Sequence, residues 1–181
     1  MVKTTTDKRN TEKCWHALYV ASRQEKKAGI ALHEKGIETY VPLIKTIRQW
    51  SDRKKKVELP LLKGYIFVHT APNENEKVLM TRGVVNFVRI ERSIATVRDE
   101  EIERLRQLIS LGYHLEMKND KSEFAKGDRI RIIEGPLKNI TGFITGNKNA
   151  RMLDVVLECI GIVIRVKIPE EILIPAGHEP K

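Results

Sequence analysis

Hydrophobic positions fall along this chain in short blocks, and their spacing changes from block to block. Cys14 to Ala21 (CWHALYVA) is a dense apolar and aromatic run of strand length, the pattern of a central strand. Ser22, with Glu25 three residues on, has the form of a capping box and predicts a helix start there. In that helix Ala28, Ala31 and Leu32 fall on one side, Arg23, Lys26 and Lys27 on another, and Gly36 ends it. Glu38 to Trp50 and Lys56 to Leu59 read as the two strands of a hairpin with a basic tip. Lys63 to His69 is a further buried strand, Pro72 to Asn75 a turn, and Glu76 to Thr81 a short helix stopped by Gly83. Val84 to Ile90 is a strand, with Ala95 to Val97 pairing back across Glu91, Arg92 and Ser93. Asp99 caps a last helix, in which Ile102, Leu105 and Ile109 repeat at i, i+3 and i+7.

Beyond that helix the period changes. Tyr113 to Glu123 is polar and aperiodic, the candidate linker. Lys126 to Ile144 (KGDRIRIIEGPLKNITGFI) opens on Gly-Asp, alternates charged and aliphatic residues, and breaks at Glu134-Gly135-Pro136. Leu153, Val155, Leu157 and Cys159, then Ile162, Ile164, Val166 and Ile168, keep the period of two, so the C-terminal part predicts a small barrel or tightly curved sheet. The expected class is α+β: an α/β sandwich on a mainly antiparallel sheet over 14–112, a linker over 113–123, and a β-barrel over 124–176, after a frayed tail over 1–13.

Charge separates the halves. The net charge is +9 over 181 residues, yet residues 1–118 carry 23 Lys/Arg against 15 Asp/Glu and residues 119–181 carry 10 against 9. A basic first half suits a polyanion, and equally a solvated surface. Cys14 and Cys159 sit in apolar strand-like contexts and read as small hydrophobes, not a disulfide. No apolar run reaches membrane-spanning length and no signal-peptide segment precedes Cys14, so a cytoplasmic protein without a membrane partner is expected. The five histidines have no metal-ligand spacing, and neither a Gly-x-Ser-x-Gly elbow nor a phosphate loop occurs. Neither catalysis nor a metal or other cofactor is indicated.

The 126–144 stretch resembles the KOW motif, which opens an SH3-like barrel in transcription elongation factors and some ribosomal proteins. Four further landmarks precede it in order: Trp15-x-x-Leu18-Tyr19-Val20, Tyr40-Val41-Pro42, Pro60-x-x-x-Gly64-Tyr65-Ile66-Phe67-Val68, and Thr81-Arg82-Gly83-Val84 with Phe87-Val88. Together they resemble the NusG family of transcription elongation factors along nearly the whole chain. That resemblance implies a first domain, called NGN, that binds the clamp helices of RNA polymerase, and a KOW domain that recruits a ribosomal protein or a termination factor. Met80 to Arg89 (MTRGVVNFVR) is similar to specialised paralogues of the RfaH and UpxY type, which suppress pausing and termination in long operons such as those for surface polysaccharides. In RfaH a glutamate matches Leu59 and helps lock the two domains, a bond leucine cannot make.

By position, the resemblance assigns polymerase contact to Tyr40, Pro42, Tyr65 and Phe67, and contact with non-template DNA to Gln24, Lys27, Thr81 and Arg82. Arg23 is adjacent to that set, and Lys26 joins it by sharing the basic helix side. Glu74 to Lys77 matches a segment that touches the polymerase gate loop. Strand alternation puts Tyr65 and Phe67 on one face, and that face is either core or docking surface. Two other readings stand beside a specialised antiterminator: a general housekeeping elongation factor, and a KOW-type RNA-binding or ribosomal protein. The low charge of the KOW half opposes the latter.

Overall fold

The run from Cys14 to Val20 forms strand β1, with neighbours on both sides. The computed structural model describes residues 12–49, 53–112, 114–118, 129–131, 138, 140–145, 152–157 and 162–167. Two units are distinguished, Met1–Pro42 with Leu62–Asp99, and Leu43–Leu61 with Glu100–Lys181.

In the first unit, helix α1 (Glu25–Glu34) follows β1, then strand β2 (Glu38–Tyr40). After the excursion through the second unit come strand β5 (Tyr65–Thr70), a 3-10 turn (Pro72–Glu74), helix α2 (Asn75–Leu79) and strand β6 (Val84–Phe87). The short strands β7 (Arg89–Ile90), β8 (Ser93–Ile94) and β9 (Thr96–Val97) complete it. The sheet runs β2-β5-β1-β6, with β9 also on β1, and its pairs are antiparallel. Leu18, Val20, Ile66, Val68 and Phe87 cluster with Ala28 and Leu32 of α1 and Val78 of α2, so one face of the sheet is the core.

Several local expectations are corrected. Ser22 does not cap α1: Arg23 takes a left-handed φ of 61°, which helical backbone cannot follow, and Gln24 becomes the N-cap without a side-chain bond. The Glu25 carboxylate, 5% exposed, instead accepts the backbone N–H of Gly64 at 2.9 Å. The strand expected over 38–50 is two strands, because Pro42 offers no N–H to continue a ladder. The strand expected over 84–90 also breaks, at Val88, whose N–H donates to Ala17 O at 2.8 Å. Of residues 95–97 only Ala95 continues that hairpin, its N–H donating to Val88 O at 2.9 Å beyond the β7–β8 pair, whereas Thr96 and Val97 form β9 and pair with β1.

The second unit contains strands β3 (Leu43–Gln49) and β4 (Lys54–Pro60), paired as a hairpin from Leu43↔Pro60 to Gln49↔Lys54. Leu59 is half-buried on it. Helix α3 (Asp99–Ser110) begins at Asp99 itself and buries Ile102, Leu105 and Leu108, while the expected Ile109 is only partly covered. Strands β10 (Leu115–Lys118), β11 (Arg129–Arg131), β12 (Thr141–Thr145), β13 (Met152–Leu157) and β14 (Ile162–Lys167) form an antiparallel sheet in the order β10-β14-β13-β12-β11. Strand β10 falls inside the segment read as linker; Leu115, buried at 4%, pairs with Val166 and anchors it. Asp154 and Arg165 are cross-strand partners joined by two hydrogen bonds of 2.7 and 2.6 Å. Cys14 is a half-buried free thiol, and Cys159 lies outside the described residues, as does the turn at 134–136.

Candidate functional site

Alternation along β1 and β5 sends one set of side chains into the core and the other to the opposite face. The pairs Trp15↔His69, Ala17↔Phe67 and Tyr19↔Tyr65, with Tyr40↔Phe67 on β2, line that opposite face. Its rings touch in sequence. Trp15 stacks on His69 at 5.1 Å, Tyr40 lies over Phe67 at 6.2 Å, and Tyr19 tilts against Tyr65 at 5.0 Å. The His69 ring also meets Glu38 at 2.9 Å.

Exposure rises along this row. Ala17 and Phe67 are fully enclosed, Tyr40 and Tyr65 are half-buried, and Tyr19 is 42% exposed. Phe67 is thus enclosed, and Pro42, just beyond β2, is buried, so of the four residues expected to contact polymerase only Tyr40 and Tyr65 offer partly open surface. The Tyr65 hydroxyl is pushed up to about 12, first by burial and then by its hydrogen bond and proximity to Tyr19. That end of the sheet thus presents two linked tyrosines, one register step along the same face from the enclosed Phe67. Tyr19 lies within a sequence landmark, yet the resemblance assigns it no role; its even spacing from Trp15 and Ala17 is the signal that places it on this face.

A second surface forms where two turns meet. Ala21 N–H donates to Gly83 O at 2.8 Å, joining the turn before α1 to the turn after α2. Gly83 has φ 90°, and a Cβ there would lie 3.2 Å from Gln24 Cβ, so glycine permits this approach. Gln24 and the neighbour of Arg82 are thereby brought together. Arg23, Lys26, Lys27 and Arg82 are exposed and Gln24 is half-covered. The N-terminus of α1 adds partial positive charge at the same end. Arg23 belongs to the turn and not to the helix face that spacing assigns it with Lys26 and Lys27.

Thr81 does not face outward. It is 3% exposed; its hydroxyl donates to Lys77 O at 3.0 Å and accepts from Lys35 Nζ at 2.8 Å. The hydroxyl expected to meet DNA is thus engaged within the fold, where Lys35, unremarked in the sequence, ties the end of α1 to the end of α2. Glu74 is similarly committed: its carboxylate accepts from Ala71 N–H at 3.1 Å and from the Thr70 hydroxyl at 3.2 Å, which with Lys13 holds it below the usual carboxylate range. Among the described residues no group of three or more His, Cys, Asp or Glu could hold a metal, and no helix is long and apolar enough to cross a membrane.

Comparison with known proteins bears on the family and the fold. The transcription termination/antitermination protein NusG of Thermus thermophilus is 24% identical over 148 residues, covering 72% of this chain and 80% of its own. A solved structure on domain interaction in Thermotoga maritima NusG superposes with TM-score 0.51 at 21% identity, covering 86% of this chain and 93% of its own. The family profile described as transcription termination factor nusG matches residues 13–106, more than half of the chain and all the strands of the first sheet. The chain belongs to the NusG family of transcription factors.

Proposed function

We propose that this protein is an antiterminator that binds elongating RNA polymerase, docks on its clamp helices through the tyrosine end of the first sheet, and holds non-template DNA with the Arg23–Arg82 surface. The observation that carries the reading is the half-exposed Tyr19–Tyr65 pair on the sheet face opposite α1 and α2. Exposed tyrosines are among the anchors that protein interfaces use most. Phe67, with Tyr40 stacked on it, follows the pair along the same face. The close approach of Gln24 to Gly83 supports the second contact, since it sets a directed donor beside Arg82 and near Lys26 and Lys27. Lysines neutralise phosphates, whereas Gln24 and Arg82 can bond base edges. The Met80–Arg89 wording supports a role in one long operon, such as one for surface polysaccharide, over a housekeeping role. The KOW domain would recruit a ribosomal protein or a termination factor.

Recruitment to halted elongation complexes with varied non-template sequences tests this. Tyr19→Ala with Tyr65→Ala should cost about 2 kcal/mol or more on every sequence, roughly thirtyfold. Arg82→Ala should weaken recruitment on some sequences only. Folded tyrosine variants that bind as the parent does would remove the docking surface, and a uniform Arg82→Ala loss would remove the base-reading role. Recruitment independent of sequence in the parent protein would favour the housekeeping alternative.

A further inference from the structure

The β3–β4 hairpin carries six Lys/Arg against two Asp/Glu within residues 43–60, and the two surfaces above use none of them. Its register shows why this is more than a wet surface. Near the base, Lys45 pairs with Glu58, an ordinary opposite-charge pair. Toward the free end the pairs are Ile47↔Lys56, Arg48↔Lys55 and Gln49↔Lys54, with no acidic residue in any of them. Arg48 and Lys55 are both basic residues at directly opposed register positions. Arg53, Lys54, Lys55 and Lys56 are all exposed, and Ile47 is 62% exposed among them.

Alternation places Lys54 and Lys56 on one face of the ribbon and Lys55 with Arg48 at positions on the other. Cations on both faces at one end do not suit a single flat anionic surface. They suit a ribbon set between two phosphate backbones. The major groove of B-form DNA admits a two-stranded ribbon, and its walls are those backbones, whereas the A-form RNA major groove is too deep and narrow. Each strand spans about 23 Å, from seven residues at about 3.3 Å each. We propose that the free end of the β3–β4 hairpin is a binding site for duplex DNA, seated in the major groove with Lys54, Lys55 and Lys56 on the phosphates.

The plain alternative is that the lysines only guard two open strand edges against self-association. Fluorescence anisotropy on the full chain distinguishes the two, using a labelled duplex DNA of three helical turns, the corresponding single strand and an RNA duplex, without polymerase. Because no polymerase is present, the outcome is independent of the docking reading. The protein should prefer duplex DNA, and Lys54→Gln/Lys55→Gln/Lys56→Gln should flatten its salt slope by about 2.7, at about 0.9 for each phosphate no longer neutralised. Across about 50 to 200 mM salt that difference amounts to roughly fortyfold. Lys55→Gln alone should lower the slope by about 0.9. This single change keeps the test decisive if the triple variant misfolds. An unchanged slope, equal binding to single strand or RNA duplex, or aggregation of the variants with duplex binding intact overturns the proposal.

Discussion

Replacing Gly29 with alanine should change stability in a direction set by a residue twelve positions away. Gly29 is buried within α1, and a Cβ built there would lie 2.5 Å from Val41 Cγ2. In an open helix the change would stabilise by about 0.8–1.0 kcal/mol through backbone entropy. Here the new carbon needs about 1 Å more than the site offers, against a normal separation of about 3.5–4.0 Å. Overpacking of this kind typically costs about 1–3 kcal/mol. Gly29→Ala should therefore be neutral or destabilising by up to about 2 kcal/mol. Val41→Ala alone removes two methyl groups from a half-buried position and should cost roughly 1–2 kcal/mol. In that background the clash is gone, and Gly29→Ala should stabilise by close to 1 kcal/mol. The cycle thus predicts a coupling of about 1–3 kcal/mol between the positions. Urea unfolding followed by Trp15 fluorescence reads it, since Trp15 lies in the same unit, with Trp50→Phe to remove the second indole. If Gly29→Ala is equally stabilising in both backgrounds, the contact does not constrain α1 and the reasoning fails.

Two further outcomes follow from single contacts. Asp154→Asn should destabilise the C-terminal sheet by about 1.5–3 kcal/mol, because it removes the charge that accepts both Arg165 hydrogen bonds at a covered position, whereas replacing both residues with leucine should cost less; thermal unfolding of the singles and the double decides, and equal losses would refute it. Tyr65 should titrate near 12 in the phenolate absorbance band, read against Tyr65→Phe, and Tyr19→Phe should lower that value without abolishing the part due to burial. Because the folded value lies above the unfolded 10.0, this tyrosine's stabilisation is complete below pH 10 and is lost as pH rises through about 12, and a Tyr65 titrating at 10.0 would refute the linkage.

Element types were legible wherever the hydrophobic period was strong. The dense run at 14–21, the strand at 65–70 and the amphipathic helix from 99 follow directly from spacing. Places where backbone geometry overrode local pattern were not legible. Ser22 and Glu25 look like a capping box, yet Arg23 turns left-handed and the carboxylate serves Gly64, thirty-nine residues on. That competition between local and distant backbone donors has no sequence signature. The break at Val41-Pro42 could have been read from proline, but the break at Val88 could not, because it arises from a hydrogen bond to Ala17. Leu115–Lys118 hid its strand because four residues are too few to display a period against a polar background. Among site residues, exposure was the missing quantity. Spacing put Tyr65 and Phe67 on one face, but only packing separates the half-covered ring from the enclosed one.

The first sheet explains how one small unit can serve folding and contact without the two competing. Its helix-side residues, Leu18, Val20, Ile66, Val68 and Phe87, are enclosed with Ala28, Leu32 and Val78, so substitutions there act through stability. The opposite row of the same strands goes from enclosed Phe67 to exposed Tyr19 within about two residue pairs, so a change at the tyrosine end removes surface without opening the core. The turns proposed to face DNA obey the same division. Arg23 and Arg82 are exposed, while the contacts that place them are covered or backbone-mediated: Glu25 to Gly64, Thr81 with Lys35, and Ala21 to Gly83. Arg82→Ala should then leave unfolding unchanged and alter recruitment. Thr81→Val should do the reverse first, since it removes one of the two oxygens to which the Lys35 ammonium donates, leaving Lys77 O, at about 1 kcal/mol, and loosens the turn that presents Arg82. Equal effects of both on stability would mean that the turn is not held from behind, and that its side chains are arranged by the ligand and not by the fold.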